Sequence, residues 1–405
     1  MKKGRVLAIF YGGFMIIRRA KSGESIREIA AEYCISPSYL MGASGVCGRT
    51  LAEGREVIIP LPSRSVSAKS GDTVDGIAHR FGVKREEIYA LNPDIWLSGR
   101  VYPSEYVVLR LAEPKIGVAA VNGQIYSGIT REKVKRALPY LNTLTVSAAR
   151  ASGEKIKIDG SLLRYSDMAR ENGIYPILRI YIEEMPVGAW DNFIRGAILM
   201  AKSRGFSGVA LGGLSHLEKG AVEFTVRVRG EMIKEGLSLS VEGAIDAPCP
   251  YTEYADTAVM TLDKLQLCPI PDFDDFERKQ LESLSEGADV SNMLLELPSF
   301  ALSDGEFFGR DEAFSALDLR GAELFQDDKK RITHLKRGRK TAVFESIENT
   351  YERIKIATEC GYLGFSVDIA RVPFCEMFML SAITGKPINM GDGKSILNCR
   401  AERTE

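Results

Sequence analysis

The sequence predicts an α/β chain: two small α+β modules of βααβ order, then a larger domain in which short strands alternate with helices in the manner of a (β/α)8 barrel. Two observations carry this reading. Near the start, Ala20-Lys-Ser-Gly-Glu-Ser-Ile26 recurs forty-eight positions later as Ala68-Lys-Ser-Gly-Asp-Thr-Val74. Farther on, eight short apolar runs spread over about 290 residues are separated by stretches of helical spacing. Composition narrows the function classes. A chain of 405 residues, 45% apolar and 26% charged, is an ordinary globular protein of two or three domains. Its net charge of −1 gives no electrostatic reason to expect nucleic acid or an anionic membrane as partner. No run of eighteen apolar residues offers a membrane span.

In each copy a Ser-Gly-acid-Ser/Thr step opens a helix, because glycine permits the turn and the Ser25 or Thr73 hydroxyl caps the first free N–H groups. Ile26, Ile29, Ala30 and Tyr33 then recur at helical spacing, matched by Val74, Ile77, Ala78 and Phe81. A second helix follows, and Val57-Ile-Ile-Pro60 or Tyr106-Val-Val-Leu109 closes the copy as a strand. Pro60-Leu-Pro-Ser-Arg-Ser65 reads as the linker between copies, and Ala112-Glu-Pro114 as the link to the remainder.

This pattern resembles LysM, the small module that binds chains containing N-acetylglucosamine, and assigns module one to residues 15–62 and module two to residues 65–111. The resemblance implies a shallow sugar groove between the loop after the first strand and the loop before the last. Its residues are Gly23, Glu24 and Ser25 in copy one, and Gly71, Asp72, Thr73, Asn92, Pro93, Asp94 and Ile95 in copy two. Copy two keeps the family's Leu91-Asn92-Pro93 step, where copy one reads Gly42-Ala43-Ser44-Gly45-Val46-Cys47. Weaker binding by copy one follows as an expectation.

The larger domain, 115–390 ahead of a tail at 391–405, has candidate strands at Ile116–Val121, Leu144–Val146, Pro176–Ile182, Gly208–Leu211, Leu237–Val241, Ala258–Thr261, Met293–Leu297 and Gly364–Asp368. Helices are predicted at Arg131–Leu138, Ser161–Asn172, Asp191–Arg204, Gly220–Glu235 and Ser346–Glu359. A barrel and an open doubly wound sheet share this alternation, and periodicity leaves both open.

The segment order resembles the family-18 glycoside hydrolase barrels found behind LysM pairs in spore-germination cortex-lytic enzymes, which selects the barrel. The landmarks are Gly160-Ser-Leu-Leu, Gly205-Phe-Ser-Gly-Val, Met260-Thr-Leu-Asp263, Phe344-Glu345 and Gly364-Phe-Ser-Val-Asp-Ile-Ala-Arg-Val-Pro-Phe374. The family carries its acids on the fourth strand, where alternation aims two carboxylates into the mouth. One is the general acid; the other, two residues earlier, orients the substrate's acetamido group. Here the run is Gly205-Phe-Ser-Gly-Val-Ala-Leu-Gly-Gly-Leu214, with Leu214 at the acid position and Gly212 at the orienting one. The family's stacking Trp falls on Asp368 and its Tyr on Leu262, so the aromatic floor is depleted too.

The expectation is therefore no catalysis by the family mechanism, with Asp263 and Asp368 as fallback carboxylates. Strand-end carboxylates Glu183, Glu184, Glu242, Asp246 and Glu296, with Glu218 and His216 just past the fourth strand, complete the fallback set. The leading function is binding of peptidoglycan, from spore cortex or cell wall, or of another N-acetylglucosamine polysaccharide. The alternatives are an N-acetylglucosaminidase with relocated carboxylates and a structural component of the spore coat. Seven cysteines lack metal-ligand spacing, and none of His79, His216 and His334 neighbours a Cys pair, so neither metal nor another cofactor is expected. Lys2, Lys3 and Arg5 before Val6–Phe10 imitate a signal peptide, but the apolar run is short, and residues 1–14 read as a ragged N-terminus or an early start codon. With the odd cysteine count, the resemblance implies synthesis in a mother-cell cytoplasm and deposition on the spore.

Overall fold

The computed structural model describes residues 8–11, 15–46, 50–92, 95, 98–112, 119–184, 188–214, 220–245, 249–261, 279, 281–284, 288–317, 321–327, 332–373, 375–377 and 379–380. They fall into two compact units. Unit one holds residues 1–117, 301–349 and 373–385; unit two holds 118–300, 350–372 and 386–405.

Unit one begins with the two modules. In the first, β1 (Ala8–Tyr11), β2 (Met15–Arg19) and, after helices α1 (Ile26–Glu32) and α2 (Pro37–Ser44), β3 (Glu56–Pro60) form an antiparallel sheet of order β1-β2-β3. In the second, β4 (Pro62–Ser67) pairs antiparallel with β5 (Tyr106–Leu111) around α3 (Val74–Phe81) and α4 (Arg85–Leu91). The expected caps are present: Ser25 Oγ accepts the Glu28 N–H at 3.2 Å and Thr73 Oγ1 the Gly76 N–H at 3.0 Å. Glu28 returns the bond to the Ser25 N–H at 2.8 Å, a capping box. The expected linker is largely a strand. Pro62–Ser67 pairs with β5, with register shifts around Arg64, and Pro at a strand start removes only an N–H that needs no ladder partner.

Each module packs one apolar cluster. Ile29, Leu40, Val57 and Ile59 centre the first; Ile77, Ile88, Val107 and Leu109 centre the second. A polar clamp joins the end of the second helix to the last strand. Asn92, fully buried, donates from Nδ2 to the carbonyls of Ile88 (2.7 Å) and Val108 (2.8 Å) and accepts the Val108 N–H at 2.9 Å. Ser44 stands at the same repeat position and does the same work with one atom, its Oγ donating to the Ile58 carbonyl (2.9 Å) and accepting the Ile58 N–H (3.0 Å).

Unit two is a closed barrel. In chain order it contains β6 (Ala120–Ile125), α5 (Arg131–Ala137), β7 (Thr143–Ser152), β8 (Lys155–Ile158), α6 (Arg164–Glu171), β9 (Tyr175–Glu184), α7 (Trp190–Ser203), β10 (Gly208–Gly212), α8 (Ala221–Lys234), β11 (Ser238–Ala244), β12 (Thr257–Thr261) and β13 (Met293–Glu296). The chain then supplies unit one with β14 (Phe300–Ser303), β15 (Glu306–Gly309), α9 (Arg310–Ala316), β16 (Glu323–Asp327), β17 (Ile332–Arg337) and β18 (Lys340–Glu345). It ends in α10 (Ile347–Glu359) and β19 (Gly364–Asp368). Parallel strands run β6-β19-β13-β12-β11-β10-β9-β7, and pairing of β6 with β7 closes the ring. Closure excludes the doubly wound sheet. The helices fall within a few residues of their predicted bounds, whereas the first strand begins at Ala120, later than expected.

Residues 301–349 and 373–385 were expected inside the barrel domain and belong to unit one instead. Strands between Phe300 and Glu345 build a five-stranded sheet of order β15-β14-β18-β17-β16. The basic Lys336–Lys340 segment is the tip of the β17–β18 hairpin, paired in register from Arg337↔Lys340 inward. Within unit one Arg55 stacks on Phe314 at 3.9 Å, Glu56 accepts the N–H groups of Ile347 (2.9 Å) and Glu348 (3.3 Å), and Arg310 pairs with Glu376, both fully buried. Burial pushes the Glu56 carboxyl above its ordinary range, with the two N–H groups opposing the shift.

The clamp makes a prediction. Asn92→Ala strands one N–H and two carbonyls in module two and should cost it about 2–4 kcal/mol. Hydrogen exchange on the full chain should show the Val108 amide losing protection while barrel amides such as Val209 keep theirs; unchanged Val108 protection would refute the clamp.

Candidate functional site

The module loops expected to meet glycan are shaped by internal bonds. Gly23 and Gly71 adopt φ +75° and +86° and face open space. In both copies the next residue's carboxylate turns back onto the loop: Glu24 accepts the Lys21 N–H at 3.0 Å and pairs with Arg18, and Asp72 accepts the Lys69 N–H at 2.9 Å and both Arg80 amino groups at 3.0–3.1 Å. The Arg80 hydrogen bonds hold the Asp72 carboxyl below its usual range. Ser25 and Thr73 are occupied as caps. Asn92 and Ile95, expected to face the groove, have side chains packed inside module two. Pro93 and Asp94 lie outside the described residues. Open glycines and backbone between exposed Ser22 and Ser70 and the caps remain as the surface a sugar would meet.

The barrel presents a second site at the C-terminal ends of its strands. Inward positions there carry Gln124 on β6 and Tyr126 just after it, Ser147 on β7, Arg179 and Tyr181 on β9, Glu242 on β11, Glu296 on β13 and Asp368 on β19. Arg179 grips Glu242 with two nitrogens, one of them at 2.7 Å, and donates a third bond to Ser147 Oγ at 2.9 Å. Its guanidinium also lies near the rings of Tyr181 (5.3 Å) and Tyr126 (5.7 Å). Asp368 accepts from Arg371 at 2.8 Å and from the Ala370 N–H at 2.9 Å. Burial still pushes its carboxyl upward against these bonds. Glu296 receives no hydrogen bond from the described residues. Burial first, then the like charges of Glu242 and Asp368, move it from the ordinary 4.5 to about 8. Beside this cluster a cavity of about 790 Å³ is lined by Tyr126, Ser147, Arg150, Lys157, Arg179 and Tyr181.

Strand four explains the arrangement. A side chain at Gly212, where the orienting residue was expected, would begin 2.5 Å from Glu242 Oε2 and 2.8 Å from an Arg179 amino group, so the ion pair occupies the space beside it. Leu214, expected at the acid position, is fully buried. Of the fallback carboxylates, Asp368, Glu242 and Glu296 meet in one cluster. Glu183 and Glu184 sit at the rim, bonded to Arg150 (3.1 Å) and Ser152 (2.8 Å). Asp263, Asp246, Glu218 and His216 lie outside the described residues.

Arg179, Tyr126 and Tyr181 were missed by sequence reasoning. A charged residue at an inward position of the apolar run Pro176–Ile182 was the available signal. Trp190 starts α7 and packs edge-to-face on Phe224 at 5.5 Å. Cys375 is buried, which pushes its thiol up and away from nucleophile chemistry. Among the described residues no three His, Cys, Asp or Glu side chains gather around a metal-sized space, and no helix is long and apolar enough to cross a membrane.

Residues 67–103 match the LysM domain. No curated protein has a sequence significantly similar to this one. The fold is similar to that of the spore cortex-lytic enzyme SleL of Bacillus megaterium QM B1551, with TM-score 0.68 and 17% identity over 92% of this chain and 98% of that one. A chitinase from Chromobacterium violaceum ATCC 12472 aligns with TM-score 0.52 and 14% identity over 66% of this chain and 98% of its own. The chitinase-like agglutinin RobpsCRA from Robinia pseudoacacia aligns with TM-score 0.51 and 14% identity over 65% and 99%. The chain thus joins a LysM domain to a closed parallel barrel of the family-18 chitinase fold.

A carboxyl raised from 4.5 to about 8 holds a proton in the folded state that the unfolded chain has lost. Its contribution is fully present below the unfolded-state value and is lost as pH rises toward 8, at no more than about 1.4 kcal/mol per pH unit. Glu296→Gln keeps the shape and removes the titration. Urea unfolding at about pH 5 and about pH 9 should show the variant gaining stability over the parent as pH rises; a constant difference would exclude the raised carboxyl.

Proposed function

We propose that this chain is a non-hydrolytic glycan-binding protein whose modules hold N-acetylglucosamine-containing peptidoglycan, of spore cortex or cell wall, and whose barrel is catalytically degenerate. One observation carries the reading: the Arg179–Glu242 pair fills the space beside Gly212, where the hydrolase mechanism needs a carboxylate, and Leu214 stands buried at the place of the acid. Leucine transfers no proton, and general acid catalysis contributes about 10²–10⁴-fold where it operates. The loops around Gly23 and Gly71 supply the binding surface, with Glu24, Ser25, Asp72 and Thr73 holding their shape. The likeness to a protein named an agglutinin supports a binding role for a barrel of this fold.

The test is retention on purified cortex peptidoglycan. Ser22→Trp with Ser70→Trp places a bulky ring on the exposed loop of each module without touching its core. Retention should fall at least about tenfold, as expected when a ring blocks a shallow groove; full retention by a folded double variant would exclude the modules as the binding element.

Glu296 favours a second reading, an N-acetylglucosaminidase with a relocated acid. A carboxyl at about 8 keeps its proton at neutral pH, as a general acid requires. Such an enzyme would release reducing ends from cortex fragments and lose that release in Glu296→Gln and Asp368→Asn. No release from the parent chain at high protein concentration eliminates this reading.

A further inference from the structure

The inward positions of strand four are Gly208, Ala210 and Gly212, a column without bulk. At the top the Arg179–Glu242 pair takes up the missing volume. At the opposite, N-terminal end a cavity of about 570 Å³ remains. Its outer wall includes Tyr175, Phe206, Leu237 and exposed Ile233. It reaches into the barrel as far as Asn122, Thr145, Ser240, Val259 and Leu294. Barrel interiors are ordinarily packed with branched apolar side chains, so an open space at this depth departs from the architecture's norm.

Two polar groups point to an occupant. Ser240 and Thr257 are 9% and 6% exposed and line the cavity, and among the described residues neither hydroxyl has a hydrogen-bond partner. The neighbouring polar groups are satisfied: Thr143 and Thr145 donate to Asn122 Oδ1 at 2.8 and 2.9 Å, and Asn122 donates to Ser366 at 2.9 Å. The charged lining residues, Arg229 and Asp256, pair with each other at 3.1 Å, and Asp256 also accepts the Leu239 N–H at 2.9 Å. The cavity therefore offers apolar walls, two hydroxyls without a hydrogen-bond partner among the described residues and no unpaired charge. That combination suits an uncharged ligand with an apolar body and one or two hydrogen-bonding groups. A charged ligand would lose its hydration without a counter-ion, and a fully hydroxylated sugar would press hydroxyls on Phe206, Leu237 and Val259.

We infer that the N-terminal end of the barrel is a binding site for a small, uncharged, ring-containing alcohol or phenol, seated between Phe206 and Val259 with its polar group on Ser240 and Thr257. The site is independent of the glycan loops.

Calorimetric titration of the full chain with benzyl alcohol tests this. One saturable site is expected. Ser240→Ala should weaken it about fivefold, the loss of one neutral hydrogen bond. Ser240→Leu, which fills the space, should abolish it, while both variants keep the parent's peptidoglycan retention and circular dichroism spectrum. Absence of saturable binding overturns the inference. So does undiminished binding by folded Ser240→Leu, or displacement of benzyl alcohol by N-acetylglucosamine oligomers, which would move the site to the glycan surface.

Discussion

The electrostatics of the barrel mouth depend on one interaction, the grip of Arg179 on Glu242. Placing two ions inside a barrel is unfavourable unless geometry and further hydrogen bonds compensate. Here the contact is bidentate, Ser147 takes another guanidinium proton, and two tyrosine rings face the cation. The rest of the charge pattern follows. Three carboxylates, Glu242, Asp368 and Glu296, share the mouth with two guanidiniums, Arg179 and Arg371. Each guanidinium bonds one acid, so Glu296 is left to the field of the other two and keeps its proton.

That interaction in turn depends on an absent side chain. Glycine at 212 leaves room for Glu242 Oε2 where it stands, since a methyl group there would begin 2.5 Å from it and the ion pair would have to shift. Its neighbour Gly213 has φ +84°, and a Cβ there would meet the Ile182 carbonyl at 2.4 Å. The glycine pair thus serves cross-strand packing, and restoring a carboxylate at residue 212 alone would expel the ion pair. Below it, the interior is held by a polar ladder: Ser366 receives Asn122 and Gln124 at 2.9 and 2.8 Å, and Tyr126 donates to Gln124. Polar side chains replace the apolar layers usual in such barrels, and every bond in the ladder joins different strands or alternate residues of one strand.

Local signals were legible in the sequence; cross-strand relations were not. The modules showed because a repeat is visible without knowing which residues touch, and the helices showed because their spacing is intrinsic to the segment. The five-stranded sheet of unit one was missed because its strands carry little apolar alternation: Phe325 is largely exposed, and Lys336 and Arg337 read as a charged loop. Pro60–Ser65 was taken for a linker because its prolines and serines outweighed the pairing that β5 imposes from Pro62 on. That Leu214 and Gly212 carry no carboxylate could be read directly. What replaced it could not, because Arg179 and Glu242 lie 63 positions apart and meet only through the register of β9, β10 and β11.

The two modules, alike in sequence, differ in what their surfaces do. Module one is bound into unit one through Glu56 on the N–H groups of Ile347 and Glu348, Arg55 on Phe314, Arg19 on Glu348 and the Gly45 backbone against Cys375. A buried carboxylate on backbone N–H groups and a guanidinium stacked on a ring fix orientation more firmly than apolar contact alone, because each has a narrow geometric optimum. Module two has the stronger internal clamp, Asn92 making three bonds where Ser44 makes two. Its Arg80–Asp72 pair holds the loop after the first strand, as Arg18 on Glu24 does in module one, so the two loops are held alike. Similar motifs therefore need not have similar surroundings: module one is the copy tied by these contacts to the rest of unit one.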